Sequence, residues 1–209
     1  MTIGVNVTGY GNTFEARIVH VIGHEGVGRY YQELLLAGSG VPREFKPEVL
    51  ADAKAARERA FTAGERRDLR DRTIITIDGA DAKDLDDAIE VERTPNGYRL
   101  GVHIADVSAY VPGESVLDLE AARRGTSIYL ADSVIPMLPE TLSNDLCSLQ
   151  PGSAKLCLSV SLELSLAGKV ASVEVYESLI ETTYRATYAE IEEDRIARGL
   201  GVPPKQENT

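Results

Sequence analysis

Five aspartates fall within ten residues, in the run Asp78-Gly79-Ala80-Asp81-Ala82-Lys83-Asp84-Leu85-Asp86-Asp87. Two like charges about 4 Å apart repel by roughly 1 kcal/mol in water and by about 4 kcal/mol near a protein surface. A fold that gathers these carboxylates therefore calls for a cation. Hard oxygen donors in this number suit Mg²⁺, or alternatively Mn²⁺, rather than Zn²⁺, which prefers nitrogen and sulfur. A calcium loop of the EF-hand type fails on spacing, because it needs Gly at its sixth position and Glu at its twelfth. Counted from Asp84 those positions are Ile89 and Pro95, and from Asp78 they are Lys83 and Ile89. An acidic turn with no ligand is the alternative reading.

The segments on either side give the run a place. Thr73 to Ile77 is β-branched and apolar, Ala88 to Glu92 and Tyr98 to Val111 read as strands, and Asn96-Gly97 supplies hairpin turn chemistry between them. The aspartates thus join two strands, with Asp78 ending one and Asp84, Asp86 and Asp87 opening the next. In an extended segment Leu85 points away from Asp84 and Asp86, so it anchors the core while they face a common site. Asp81 reads as a solvated turn residue.

Upstream, Thr2 to Val7 and Thr13 to Gly23 read as strands, too few to close a barrel. Gly28 to Leu36 has a helical pattern stopped by Gly38, Gly40 and Pro42, and Pro47 to Glu65 has helical spacing with a charged face. That face reads as solvated, with RNA contact by Arg57, Arg59, Arg66 and Arg67 as the alternative. Downstream, Ser115 to Arg124 is a helix with Ser115 as N-cap and Gly125 past its end. Leu156 to Leu166 and Val170 to Thr182 are strands split by Ala167-Gly168, and Thr187 to Arg198 is a final helix. Pro136 to Cys147 reads as a loop into a short helix capped by Ser143, and His103 as a structural residue of its apolar strand. The expected fold class is α+β with a mainly antiparallel sheet.

A net charge of −11 argues against broad, salt-driven attraction to a polyanion, so any nucleic-acid contact is local or works through metal ions. Cys147 and Cys157 lack metal-ligand spacing and read as buried, reduced thiols. With no apolar leader segment after Met1 and no run long enough to span a bilayer, a cytoplasmic setting without membrane contact is expected.

Taken together, Thr76-Ile77-Asp78, Asp84-Leu85-Asp86-Asp87-Ala88 and Ile104-Ala105-Asp106-Val107 resemble the catalytic RNB domain of the ribonuclease II and ribonuclease R family. The segments Arg124 to Leu130 and Ile135 to Leu149 resemble the same domain in the same order. The resemblance implies a hydrolytic 3′→5′ exoribonuclease that acts on single-stranded RNA and releases 5′-nucleoside monophosphates. It places Asp78, Asp84, Asp86 and Asp87 on the family's metal-binding catalytic positions and Tyr129 on the tyrosine beside the terminal nucleotide. The organisation it implies is residues 1–41 as the remnant of an OB-type (cold-shock) domain and 42–72 as a helical linker. Residues 73–198 are then the N-terminal half of the RNB domain, and 199–209 a polar tail.

Members of the family carry a second half of the domain, with an arginine that contacts the scissile phosphate, and then a basic S1 domain. The chain is therefore expected to be an incomplete catalytic domain, whether a fragment, one half of a split enzyme completed by a second chain, or a degenerate product that no longer cuts RNA, and at best feeble as a nuclease alone. Arg123, Arg124 and Arg185 are candidate replacements for the missing arginine, with a surface role as the alternative. A non-catalytic divalent-metal or RNA-binding module is the rival reading of the whole.

Overall fold

A computed structural model describes residues 2–10, 13–26, 28–58 and 65–198. Two compact units divide at the boundary between Phe45 and Lys46.

In the first unit, strands β1 (Thr2–Tyr10) and β2 (Thr13–Gly23) form an antiparallel hairpin. Helix α1 (Tyr30–Ser39) follows and runs through Gly38, ending where Gly40 takes a left-handed conformation at φ 69°. Val5, Val7, Ile18, Val19 and Val21 of the hairpin are exposed.

The second unit begins with helix α2 (Pro47–Glu58), whose Val49, Ala53 and Ala56 are buried. The helical spacing expected to reach Glu65 runs into residues 59–64, which lie outside the described residues, as does the 199–209 tail. Beyond them the chain is extended, not helical. Strand β3 (Arg67–Asp68) pairs in parallel with β10 (Val170–Glu181), donating from Leu69 N–H to the Leu179 carbonyl at 2.8 Å.

The remaining strands are β4 (Ile75–Asp78), β5 (Asp87–Thr94), β6 (Gly97–Ala105), the short pair β7 (Ile128–Tyr129) and β8 (Val134–Ile135), then β9 (Ala154–Ser165), β10 and β11 (Tyr184–Thr187). Seven of the described strands make one sheet, ordered β11-β4-β5-β6-β9-β10-β3. Its pairs are antiparallel except β11 with β4 and β10 with β3. The class is α+β with a mainly antiparallel sheet, as expected.

Local sequence explains most boundaries. Ser115 caps α3 (Val116–Arg124) by accepting from Asp118 N–H, and Gly125 closes it at φ 74°. Thr187 and Glu190 cap α4 (Tyr188–Ala197) reciprocally, satisfying donors that the first helical turn leaves free. The β5–β6 turn sits one residue earlier than the sequence indicates, with Thr94 opposite Gly97. Gly97 is required for another reason: a Cβ there would lie 1.9 Å from the Leu164 carbonyl oxygen on the neighbouring strand.

The core gathers Leu69, Ile74, Leu85, Leu117, Leu149 and Ile180, all essentially inaccessible. Each contributes roughly 1.5–3 kcal/mol by burial. Two-residue alternation places Ala88, Glu90, His103, Ser159 and Ser178 toward one buried side of the sheet. Val91, Ile104, Leu158, Val173 and Val175 lie on the other side and remain exposed.

Candidate active site

The aspartate run is the return between β4 and β5, next to the parallel pairing that sets Thr187 opposite Asp78. Asp78 closes β4, and Asp87 opens β5 opposite Ile104. Leu85 is fully buried, as strand alternation requires. Its N–H donates to Ser148 Oγ at 3.1 Å and its carbonyl accepts from Leu149 N–H at 2.8 Å. Ser148 Oγ in turn donates to the Lys83 carbonyl at 2.7 Å, which Gln150 also reaches at 3.3 Å. One residue on, the Asp86 carbonyl accepts from Ala105 N–H at 2.9 Å. These bonds fix the backbone that bears Asp84, Asp86 and Asp87.

The carboxylates feel one another. Burial raises the Asp78 pKa above the usual carboxylate range, Asp87 and Asp84 add to the rise, and the Arg185 charge partly opposes it. Burial likewise raises Asp86, with Asp84, Asp87 and Asp78 adding repulsion. The four aspartates singled out from sequence thus share one field. Asp81 is exposed and stands apart from that set of couplings. Asp78 Oδ2 is buried with no hydrogen-bond partner, a condition that costs about 1–3 kcal/mol for a polar atom.

Among the described residues, no group of three or more His, Cys, Asp or Glu side chains is drawn close enough to hold a metal ion. Mg²⁺ is commonly held by one or two carboxylates, with waters and substrate phosphates filling its octahedral shell. The donors present fit such an ion: hard oxygens, one of them buried and unpartnered, in mutual repulsion that a cation relieves.

Tyr129, on β7, donates its hydroxyl to Asp84 Oδ2. That bond, with burial and the nearby Asp86, pushes its pKa up to about 12. The ring is otherwise open to solvent at 63% exposure. Asp84, Asp86 and Tyr129 line one cleft of about 390 Å³ with Ile104, Met137 and Leu138. Acidic oxygens thus lie beside an apolar wall. Asp87 adjoins it through its cross-strand neighbour Ile104.

Several neighbours escape sequence reasoning. Ser148 and Gln150 lie more than sixty residues from the loop they hold, so only tertiary structure reveals them. Arg185 Nη2 lies 3.2, 3.0 and 2.8 Å from the carbonyls of Gly79, Ala80 and Ala82. Arg123 and Arg124 both pair with Glu120 on their own helix, and Arg124 also donates to the Pro136 carbonyl. The turn Leu142–Leu146 is a single π-type turn whose cap residue is Thr141 rather than Ser143. Arg66, read as part of a solvated helix face, is buried against Asp106 and the Cys157 carbonyl. Arg67 pairs with Glu174 and lies 3.7 Å above the Tyr176 ring.

Comparison with known proteins gives the site a family setting. The RNB domain model matches residues 66–197. Ribonuclease R of Thermotoga maritima is 54% identical over 155 residues, which cover 73% of this chain and 22% of that protein. Ribonuclease R 2 of Lactococcus lactis subsp. lactis is 48% identical over 180 residues, covering 84% of this chain and 27% of that one. This chain therefore spans about a quarter of the length of these curated relatives. Among solved structures, Mycoplasma genitalium RNase R in complex with double-stranded RNA matches with a TM-score of 0.81 and 29% identity, covering 97% of this chain and 36% of that chain. Yeast Ssd1, a pseudonuclease, shares the fold at a TM-score of 0.68 and 19% identity, covering 96% of this chain and 26% of its own.

Proposed function

Since this chain belongs to the RNB-domain family of ribonuclease R, we propose that it acts as the metal-binding N-terminal half of a hydrolytic 3′→5′ exoribonuclease. Its substrate is single-stranded RNA and its products are 5′-nucleoside monophosphates. The supporting observation is the set of four electrostatically coupled aspartates, with a buried unpartnered oxygen on Asp78, beside a cleft rimmed by Tyr129.

In this reading Asp78, Asp84, Asp86 and Asp87 would hold Mg²⁺, or Mn²⁺ in its place, which when bound would acidify a water and offset charge on the departing 3′ oxygen. The chain's own residues do the positioning. Asp84 accepts the Tyr129 hydroxyl, which holds that side chain at the cleft. A terminal base stacked there gains about 1–3 kcal/mol without sequence preference. Met137 and Leu138 offer it an apolar wall. A second chain, or the remaining length of the relatives, completes the domain. A reducing, cytoplasmic setting goes with this reading, in keeping with Cys147 and Cys157, which are buried and unpaired.

A second reading, a non-catalytic RNA-binding module, draws on the absence of a three-ligand grouping among the described residues. The test is incubation of 5′-labelled oligoribonucleotide with Mg²⁺, using this chain alone and together with a chain supplying the remaining length of the relatives. The expected result is feeble cleavage alone and stepwise 3′ shortening in combination, abolished by Asp86→Asn while RNA binding persists. RNA retained uncut in every arm would establish the binding module instead.

A further inference from the structure

The two halves of the aspartate loop are held by different means. Residues Lys83 to Leu85 are fixed by Ser148, Leu149 and Gln150. Residues Gly79 to Ala82 include glycine and two alanines, whose side chains have no hydrogen-bonding group, and the one local backbone bond is Ala82 N–H to the Gly79 carbonyl at 3.1 Å. The shape of this half is imposed from β11, where Arg185 stands opposite Thr76 and spreads one guanidinium nitrogen over the carbonyls of Gly79, Ala80 and Ala82. Asp78 feels the Arg185 charge, yet the guanidinium bonds go to the backbone.

That arrangement sets two effects against each other. A fixed positive charge beside a divalent-ion site weakens ion binding by Coulomb repulsion. Ordering the loop strengthens binding, because the entropy cost of fixing the backbone that bears the carboxylates is met before the ion arrives. We propose that the second effect wins: Arg185 is a positioning residue that acts through the backbone of residues 79–82 to set the spacing between Asp78 and the trio Asp84, Asp86 and Asp87, and thereby sets the ion affinity of the site. This rests on the divalent-ion reading given above.

The test uses the 209-residue chain in two measurements. Metal-free hydrogen exchange read by mass spectrometry follows the loop peptide, with β9 and β10 as internal reference, and calorimetric titration with Mn²⁺ gives Kd. Arg185→Met should speed loop exchange at least tenfold while leaving β9 and β10 unchanged. It should also weaken Mn²⁺ binding about tenfold, the worth of one charge-assisted hydrogen bond. Arg185→Lys, which keeps the charge and three donors, should recover most of both. If Arg185→Met fails to fold, Arg185→Gln is read in its place and should fall between wild type and the Met expectation. Unchanged loop exchange, or Mn²⁺ binding as tight as or tighter than wild type, would overturn the proposal and leave the site reading standing. A wild-type chain that binds no Mn²⁺ would overturn the site reading, and the functional half of the proposal with it.

Discussion

Asp106 and the loop aspartates sit at comparable places, each at an end of a central strand, yet their surroundings are opposite. Asp106 Oδ2 accepts from Arg66 Nη2 at 2.5 Å, and Oδ1 accepts from Ser108 Oγ at 2.6 Å and from Ala109 N–H at 3.3 Å. Burial pushes its pKa up, but Ser108, Arg66 and the Ala109 amide outweigh that and hold it below the usual range. Asp78 and Asp86 are pushed up by burial and by one another. The chain thus pairs a cation directly with the aspartate that serves the fold, whereas beside the loop aspartates Arg185 gives its hydrogen bonds to backbone carbonyls and only partly offsets the raised Asp78. Such an imbalance, left standing in a folded protein, is what the proposed divalent-ion site requires.

The sharpest way to break this comparison is to remove the structural cation. The Arg66 and Asp106 side chains are only 9% and 11% exposed. Arg66→Met strands a buried carboxylate and should cost about 3–5 kcal/mol, read as a lowered urea midpoint. A loss below about 1 kcal/mol would mean that Asp106 is not held by its partner.

A smaller effect comes from a third polar region, where charge is avoided altogether. His103 is fully buried, with Nδ1 2.7 Å from Ser159 Oγ and Nε2 unpartnered. Burial, aided by the Arg72 charge, pushes its pKa down to about 4. The unfolded chain takes up this proton near pH 6.5 and the folded chain resists until about pH 4, so its contribution is complete above pH 6.5 and is lost as pH falls through that window. The loss is about 3 kcal/mol in total. Asp106, with its depressed pKa, keeps its contribution across the same window and yields only below the ordinary carboxylate range. Urea midpoints measured from pH 7 to 4 check this. A flat profile would contradict it.

The gentlest perturbation separates the two aspartate classes directly. In chelator, Asp86→Asn should raise stability by on the order of 0.5 kcal/mol, because it removes a charge that partial burial and the neighbouring aspartates both disfavour, at a site open enough for solvent to screen most of the effect. The sign follows from its raised pKa: the folded chain binds that proton more readily than the unfolded one, so neutralisation favours the fold. Asp81→Asn should change nothing measurable. Equal gains from both would reduce the comparison to bulk charge.

How much of this was legible in the sequence depends on the range of the interaction. The placement of the aspartate run between strands, the inward Leu85, the Ser115 cap and the closing Gly125 follow from neighbours within a few residues, which periodicity and capping chemistry read well. The solvated-face reading fails at Arg66, because charge runs carry no trace of a partner far along the chain, here Asp106; Arg67 stays exposed, although it pairs with Glu174. The same limit hides Ser148, and hides the grip of Arg185 on the loop backbone, both acting across more than sixty residues. Tyr129 was placed by resemblance, and its bond to Asp84 emerges only when β7 meets the loop.

The central claim, that the loop aspartates await a divalent cation, is tested most directly by thermal unfolding of the 209-residue chain across Mn²⁺ concentrations, with Asp86→Asn alongside. An ion bound only to the folded state adds about 2.7 kcal/mol at a hundredfold excess over Kd, or roughly 5–10 °C in Tm for a domain of this size. The account predicts that rise for the wild-type chain and little of it for Asp86→Asn. A melting temperature unchanged through millimolar Mn²⁺ would contradict it.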